Sequence, residues 1–302
     1  METFNSCIEA GASRLSDTLR TQAPHLATPV AEWLEGIAPA GKLAGYFTHE
    51  NRFPMLSIPW WIADAVGVPS TDPLRADVIY STMAGYCSIR LIDDLLDGAT
   101  ARLDLVPALA VFHSEFQFPY QRYFPAEHPF WELFRARWFG AADFARDHPS
   151  TSDFEIRVRH RLGPAEIPVA AVLFHAGRLD QVGSWGQLLN RIGRVEQLLD
   201  DLTDWLDDHR RKAPNIVLAN HRARAQPNEG LEPWMLREGY QAAIDLASTW
   251  LNELATAARP FGVVSLDQFI ARREAMVRQM ATEVAPGLAA LAELRSAFDR
   301  PA

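Results

Sequence analysis

Lysine is almost missing from this chain: Lys42 and Lys212 stand beside 27 arginines. That skew reads as genome composition and carries no function. Cysteine is equally scarce. Cys7 and Cys87 lie far apart and in no metal-ligand spacing. Neither a disulfide framework nor a thiolate zinc site is expected, and a reduced, cytoplasmic setting is the default. The longest apolar runs, such as VPALAVF at 106–112, are far too short for a membrane span. The opening METFNSCIEAGASRL lacks the basic and apolar regions of a secretory signal. No basic stripe stands out, which argues against a nucleic-acid partner. Strand signals are also poor: there are no alternating Val/Ile/Thr runs closed by Asn-Gly or Asp-Gly, no internal repeat and no low-complexity linker.

What remains is a helical, acid-bearing chain. With 48% hydrophobic and 22% charged residues it can bury a sizeable core and does not have a disordered composition. The segment 70–98 offers Ser70, Thr71 and Asp72 as caps, Pro73 at the first turn and Gly98 as a stop, so Pro73 to Asp97 is expected as one long helix. Comparable segments are 184–209, 233–258 ending before Pro260, and 265–284 opened by Ser265. Proline-rich joints at 119–129, 147–149 and 164–168 are expected to break the middle of the chain. The expected architecture is one all-α domain over 1–302, a large single bundle.

The net charge is −9, and the excess acid is local. Asp93, Asp94 and Asp97 supply three charges, and DDLTDWLDD at 200–208 supplies five more, Asp200, Asp201, Asp204, Asp207 and Asp208; without those eight the chain would stand at −1. Carboxylates among Ile and Leu cost several kcal/mol each unless compensated, on the order of 2–7 for a lone polar group and more for a charge. On a helix Asp93 and Asp97 share a face, and Asp200, Asp204 and Asp208 form an i, i+4, i+8 stripe. An Asp-rich helix run is ordinarily a solvated face. Two such runs, each embedded in apolar sequence, favour a hard divalent cation: Mg²⁺ takes oxygen ligands, commonly one or two carboxylates with waters and phosphates. No His or Cys accompanies them, so zinc is not expected, and no loop glycine marks an EF-hand.

At these residues the sequence resembles a family. DDLLD at 93–97 is similar to the first aspartate-rich motif of the class I isoprenoid synthases, the polyprenyl diphosphate synthases and class I terpene cyclases. QLLDDLTD at 197–204 is similar to the second motif of prenyl synthases. Asp200, Asp204 and Asp208 match the ligand spacing of the second metal motif of terpene cyclases, and NIV at 215–217 resembles the Asn-x-Val that follows it in bacterial cyclases. The resemblance is strongest over residues 40–285. It implies a helical bundle with a central active-site cavity, in which three Mg²⁺ ions clamp the diphosphate of an allylic prenyl substrate between two acidic helices. Asp93, Asp97, Asp200, Asp204 and Asp208 are then the metal contacts, with Asp94 and Asp201 beside them. Arg102 matches the first Arg of the pair that follows the first motif in elongating synthases. Arg157, Arg159 and Arg161 occupy the region of the cyclases' diphosphate-sensing Arg, where Gly163-Pro164 would supply the accompanying helix break. Arg210, Arg211 and Lys212 add charge for the diphosphate. For every one of these cations a surface ion pair is an equal alternative, and His113, His160 and His175 are read as structural.

The aromatics are dense over 112–139, with Phe112 and Phe116 nearest the first motif in sequence. Such faces stabilise carbocations by about 0.5–2 kcal/mol each, and they are also ordinary core. In elongating synthases the residues four and five before the first Asp stop the growing chain; here they are Ile89 and Ser88, with Gly85 a turn deeper, and none is aromatic. A pocket for fifteen carbons or more is therefore expected. Elongation needs a second diphosphate site, and its signature is broken: Gly41-Lys42 is present, but Arg52-Phe53-Pro54 replaces Arg-Pro, Leu103 replaces the second Arg, Ile92 replaces the usual His, and the Lys-Thr pair is missing. The expectation is a one-substrate terpene cyclase. The alternatives are a divergent prenyltransferase, including one that joins two chains, and a non-catalytic helical interaction protein. Because the family fold commonly dimerises, a homodimer is left open.

Overall fold

The computed structural model describes residues 3–38, 43–48, 53–96, 102–147 and 153–284, together with 286, 287 and 290. Among them every regular element is helical: α1 Phe4–Gln22, α2 Pro24–Ile37, α3 Leu43–Thr48, α4 Ser57–Ala65, α5 Pro73–Leu96, α6 Ala108–Gln117, α7 Phe130–Asp147, α8 Phe154–His175, α9 Val182–Thr203, α10 Trp205–Arg211, α11 Ile216–Arg224, α12 Leu231–Trp234, α13 Tyr240–Ala258 and α14 Val264–Gln279. The chain divides into two compact units. Unit 1 holds Met1–Arg137 and Pro164–Gly183, and unit 2 holds Trp138–Gly163 and Ser184–Ala302. No described helix is long and apolar enough to cross a membrane.

Unit 1 is built on α5. Its start follows the expected signals: Asp72 Oδ1 accepts from the Leu74 N–H at 2.9 Å, and Pro73 occupies the first helical position. Arg75, in the first turn, donates to the carbonyls of Val68 and Pro69 and pairs with Asp64 at 2.7 Å, fastening α4 to it. Residues on every side of α5 are buried, so it is the central helix, packed by α1 and α6. α6 approaches closely because residue 85 has no side chain: a Cβ on Gly85 would meet the Phe116 ring at 2.8–3.1 Å. Phe116, Tyr120, Phe130 and Phe134 continue as a packed cluster with centroids 5.1–6.3 Å apart, joined by Phe124 stacked on Phe130 at 4.3 Å. A buried carboxylate, Asp77, is compensated from three sides by Arg14 (2.9 Å), Arg122 (2.7 Å) and the Tyr123 hydroxyl (2.7 Å).

Unit 2 is organised around α9. Leu188, Leu189, Ile192, Val195, Leu198, Leu199 and Leu202 recur at helical spacing and are all buried. Arg273 of α14 clasps Glu196 with two bonds of 2.6 and 2.8 Å. On another side Gly193 lets α8 come so close that a Cβ there would overlap the Leu162 side chain. That approach sets α8 beside the acidic end of α9.

Three expectations about helix limits need correction. The segment 184–209 is not one helix: α9 ends at Thr203, Asp204 has φ −101° and ψ 8°, and α10 follows. The bonds from Asp204 N–H to the Asp200 carbonyl and from Asp208 N–H to the Asp204 carbonyl persist at 2.9 Å, so the acidic positions stay in near-helical register. The prolines at 164 and 168 do not end a helix either; both lie inside α8. They are four residues apart, so the bonds they forfeit fall on one face and the rest of the ladder carries through. The stretch from Leu231 to Ala258 is helical but carries a wider π turn at Met235–Gly239.

Candidate functional site

In unit 1 the first acidic motif closes α5. Asp93 is exposed, whereas Asp94, 100° further round the helix, is buried at 7% exposure. Trp33 Nε1 donates to Asp94 Oδ2 at 2.9 Å, and Arg90, one turn back, pairs with its Oδ1 at 3.0 Å. Asp94 therefore ties α2 to α5. Asp97 lies outside the described residues, as do Gly41, Lys42 and Arg52. Arg102 follows that segment and is engaged by carboxylates: it donates to Asp104 at 2.9–3.2 Å and to Glu32 at 3.1 Å.

The positions named for the pocket are packed. Gly85 is covered by Phe116; Ser88, Phe112 and Phe116 are all buried, and Ile89 is partly so. Phe112 lies 6.0 Å from the Trp33 ring, centroid to centroid. Most of the described aromatics of 112–139 are packed as core, whereas Phe118 and Phe139 are exposed. His175 pairs with Asp72 at 2.9 Å; in unit 2 His160 stacks on Phe144 at 4.5 Å. Both rings are held by contacts within their own unit.

In unit 2 the second motif gathers a larger constellation. Asp200 and Asp204 are exposed, Asp208 is half-buried and Asp201 is buried at 2%. Asp201 Oδ1 accepts from Gln197 Nε2 at 2.6 Å, and its Oδ2 accepts from the Ile216 N–H at 2.7 Å and lies 3.9 Å from Arg157 Nη2. The arginines of α8 divide. Arg157 is 2% exposed and donates to the Pro214 carbonyl at 2.7 Å, so it anchors the turn before α11 instead of facing solvent. Its Nε has no hydrogen-bond partner among the described residues. Arg161, one turn on, is exposed and donates to Gln197 Oε1 at 2.6 Å. Arg159 is exposed and falls on a different face. Arg211 and Lys212 are exposed; Lys212 adopts φ 57° and ends α10.

No known family model matches the chain, and no curated protein sequence matches it significantly. The chemistry of the site is thus read from its own groups.

The electrostatics of the stripe are unfavourable as it stands. Asp200 is held above the ordinary carboxylate range, first by the protein crowded around it, then by the charges of Asp204 and Asp208; Arg161 and Gln197 oppose this. Asp204 is raised by the same crowding and by Asp208 and Asp207, with Arg211 opposing. Burial raises Asp201 too, against the Ile216 N–H, Gln197 and Arg157. Acidic groups that repel one another at solvent's edge suit an incoming cation. Among the described residues no three His, Cys, Asp or Glu side chains converge as a ready-made metal cage. The donor set nevertheless fits Mg²⁺, which usually retains waters and takes one or two carboxylates plus substrate phosphates.

Two members of this constellation lie inside motifs quoted from the sequence but have no role assigned to them from the sequence alone. Gln197 bridges Arg161 to Asp201 through one amide, and also reaches Asp200 at 3.5 Å. The Gln–Asp spacing of four is a helix pair that was there to be read. Asn215 was noted as part of NIV, but its bonds to Asp201 and Asp208 had no sequence signal beyond its position as a helix cap.

Proposed function

We propose that this protein is a Mg²⁺-dependent class I terpenoid synthase, acting as a cyclase that ionises an allylic prenyl diphosphate such as farnesyl or geranylgeranyl diphosphate. The observation that supports this reading most is the pairing in unit 2 of an acidic face, Asp200, Asp204 and Asp208, with Arg161 presented beside it on the Gln197 amide. Carboxylates for a divalent cation next to a guanidinium for an anion are the two halves of a metal–diphosphate site. The isoprenoid-synthase bundle with a central cavity belongs to the same proposal, and the first motif, Asp93 with Asp97, enters it through the resemblance alone.

Asp200, Asp204 and Asp208 would hold Mg²⁺, which when bound would supply charge neutralisation for the diphosphate leaving group. Asp200, Asp204 and Asp208 orient their oxygens for the cation, and Arg161 exchanges its Gln197 bond for a diphosphate oxygen. The allylic C–O bond breaks with its electron pair leaving on diphosphate; the carbocation closes and gives up a proton to the released diphosphate, leaving a hydrocarbon and protonated diphosphate. Arg157 and Asp201 hold the frame and do not touch substrate.

The test is incubation with geranyl, farnesyl and geranylgeranyl diphosphates and Mg²⁺, each with and without isopentenyl diphosphate. Hydrocarbon from a single substrate supports the cyclase. Longer diphosphates formed only with isopentenyl diphosphate replace it with an elongating enzyme. No turnover, together with no Mg²⁺-dependent stabilisation by pyrophosphate, leaves a helical interaction protein.

A further inference from the structure

Asn215 is placed to do more than begin a helix. Its Oδ1 accepts from the backbone N–H groups of Val217 at 2.8 Å and Leu218 at 3.2 Å, which caps α11. Serine, threonine or aspartate would cap as well, because capping needs only an acceptor. Asparagine adds an NH₂ group, and both of its bonds go to the acidic segment: Nδ2 donates to the Asp201 carbonyl at 2.7 Å and to Asp208 Oδ2 at 2.8 Å. The residue is 4% exposed. Its neighbours on both sides are fastened. The Pro214 carbonyl takes the bond from Arg157, and the Ile216 N–H gives one to Asp201. The chain also folds back tightly just before, with the Ala213 N–H donating to the Asp208 carbonyl at 2.9 Å.

Behind Asp208 there is therefore a desolvated block of Arg157, Asp201 and Asn215, in which the Arg157 Nε has no hydrogen-bond partner among the described residues. Asp208 itself is half-buried, at the end of the stripe. A carboxylate in that position samples several rotamers unless something holds it, and outer groups that hold a ligand are worth about 10–100-fold in metal affinity. Resting on the metal–diphosphate reading above, we infer that Asn215 is a positioning residue for Asp208: its carboxamide fixes one carboxylate oxygen, and the buried Arg157–Asp201 pair holds Asn215 in turn.

The test uses the full chain, inorganic pyrophosphate at fixed concentration and a MgCl₂ titration read by melting temperature. Asn215→Ser keeps the capping acceptor and loses the donor. It is expected to melt near the wild type without ligand and to need about tenfold more Mg²⁺ for the half-maximal shift. In an Asp208→Ala background the same substitution should change nothing further, because the interaction it removes is already gone. Asn215→Thr, closer in volume, repeats the test if the serine variant does not fold. An unchanged Mg²⁺ midpoint in either capping variant would overturn the inference, and so would a full additional increment in the Asp208→Ala background; each would make Asn215 a cap only. A wild type with no Mg²⁺-dependent shift would instead overturn the metal–diphosphate reading, and this inference with it.

Discussion

At Asp93-Asp94 the helix turns its second carboxylate inward, to an indole N–H and a half-exposed guanidinium. At Asp200-Asp201 the second carboxylate also turns inward, but it meets a backbone N–H, a side-chain amide and a wholly buried guanidinium. In both pairs the first Asp is exposed. The shared pattern has a simple cause. Successive residues are 100° apart, so an Asp-Asp pair at the margin of a buried helix face places one carboxylate outside and one inside. The outer member is available for chemistry, and the inner one is a strut. The difference lies in what each strut compensates: Asp94 takes one neutral donor and a guanidinium that reaches water, whereas Asp201 faces a guanidinium buried with it.

The largest effect should separate outer from inner members by activity. Asp200→Ala is expected to lower turnover of a prenyl diphosphate by about 10³-fold or more, roughly 4 kcal/mol in the barrier. The protein should stay folded, because the charge it loses is repelled by Asp204 and Asp208. Asp93→Ala should do the same if both motifs serve one reaction. Product formation under saturating Mg²⁺ checks both, and retained turnover in Asp200→Ala removes the site from unit 2.

The inner members should separate by stability. Asp201→Ala leaves Arg157 buried without its carboxylate, a loss of about 3–5 kcal/mol. Asp94→Ala orphans the Trp33 N–H, at about 1–3 kcal/mol, because Arg90 reaches water. Urea denaturation of the two variants ranks them, and an equal or larger loss for Asp94→Ala would contradict the distinction between the struts.

Ligand linkage comes next. Pyrophosphate with Mg²⁺ should stabilise the fold by about 2.7 kcal/mol at one hundred times Kd, and pyrophosphate alone by much less. Equal shifts with and without the metal would show that the acidic face takes no part.

Away from the acids, Gly85→Ala forces a Cβ against the Phe116 ring and should cost about 1–3 kcal/mol. This sharpens a contrast along α5, whose acidic end is partly open while the Gly85 turn is filled. A stable Gly85→Ala protein with altered substrate preference would mean that Phe116 moves aside for a prenyl chain.

Much of this was legible in the sequence, for identifiable reasons. Pro73 after Asp72 marks the start of α5, because the cap acceptor and the fixed φ act locally. Gln197 and Asp201 were readable as an i, i+4 pair. The break at Asp204 was not, since no Gly or Pro marks it and the flanking carbonyl bonds survive. Pro164 and Pro168 read as a stop because each removes a donor; their spacing of four, which confines the damage to one face, was the signal to weigh. Trp33 as the partner of Asp94 lies 61 residues away, and nothing local announces it. Arg157 and Arg161 look identical in RVRHR and share a helix face, yet one is an anchor and one is exposed, because Arg157 is held by the Pro214 carbonyl and Asp201, partners distant in sequence that nothing local announces.

The smallest effect concerns pH, and it has opposite signs in two carboxylates. Burial works against ionised Asp72, but the Leu74 N–H and His175 outweigh it and hold the group below its usual range. Its contribution to stability is present above the unfolded value and is lost as pH falls through the lower folded one. Asp200 is raised, so the folded state binds its proton more tightly than the unfolded chain does. Ionising it costs stability as pH climbs from the unfolded value, near 3.8, through the raised one, and the cost then persists to neutral pH. Asp200 is open to solvent, so the cost is screened and should be under about 1 kcal/mol. Asp72→Asn should therefore lower the melting temperature at pH 7, with the difference from wild type shrinking toward pH 3. Asp200→Asn should raise it at pH 7, with the gain likewise fading in acid. Melting curves from pH 3 to 7 give both slopes, and a lower melting temperature for Asp200→Asn at pH 7 would show that the stripe is already neutralised within the protein. Saturating Mg²⁺ and pyrophosphate should reverse the ranking, since the wild type then gains a stabilisation that the amide cannot share. The same carboxylate that weakens the free fold would be the one that holds the cation.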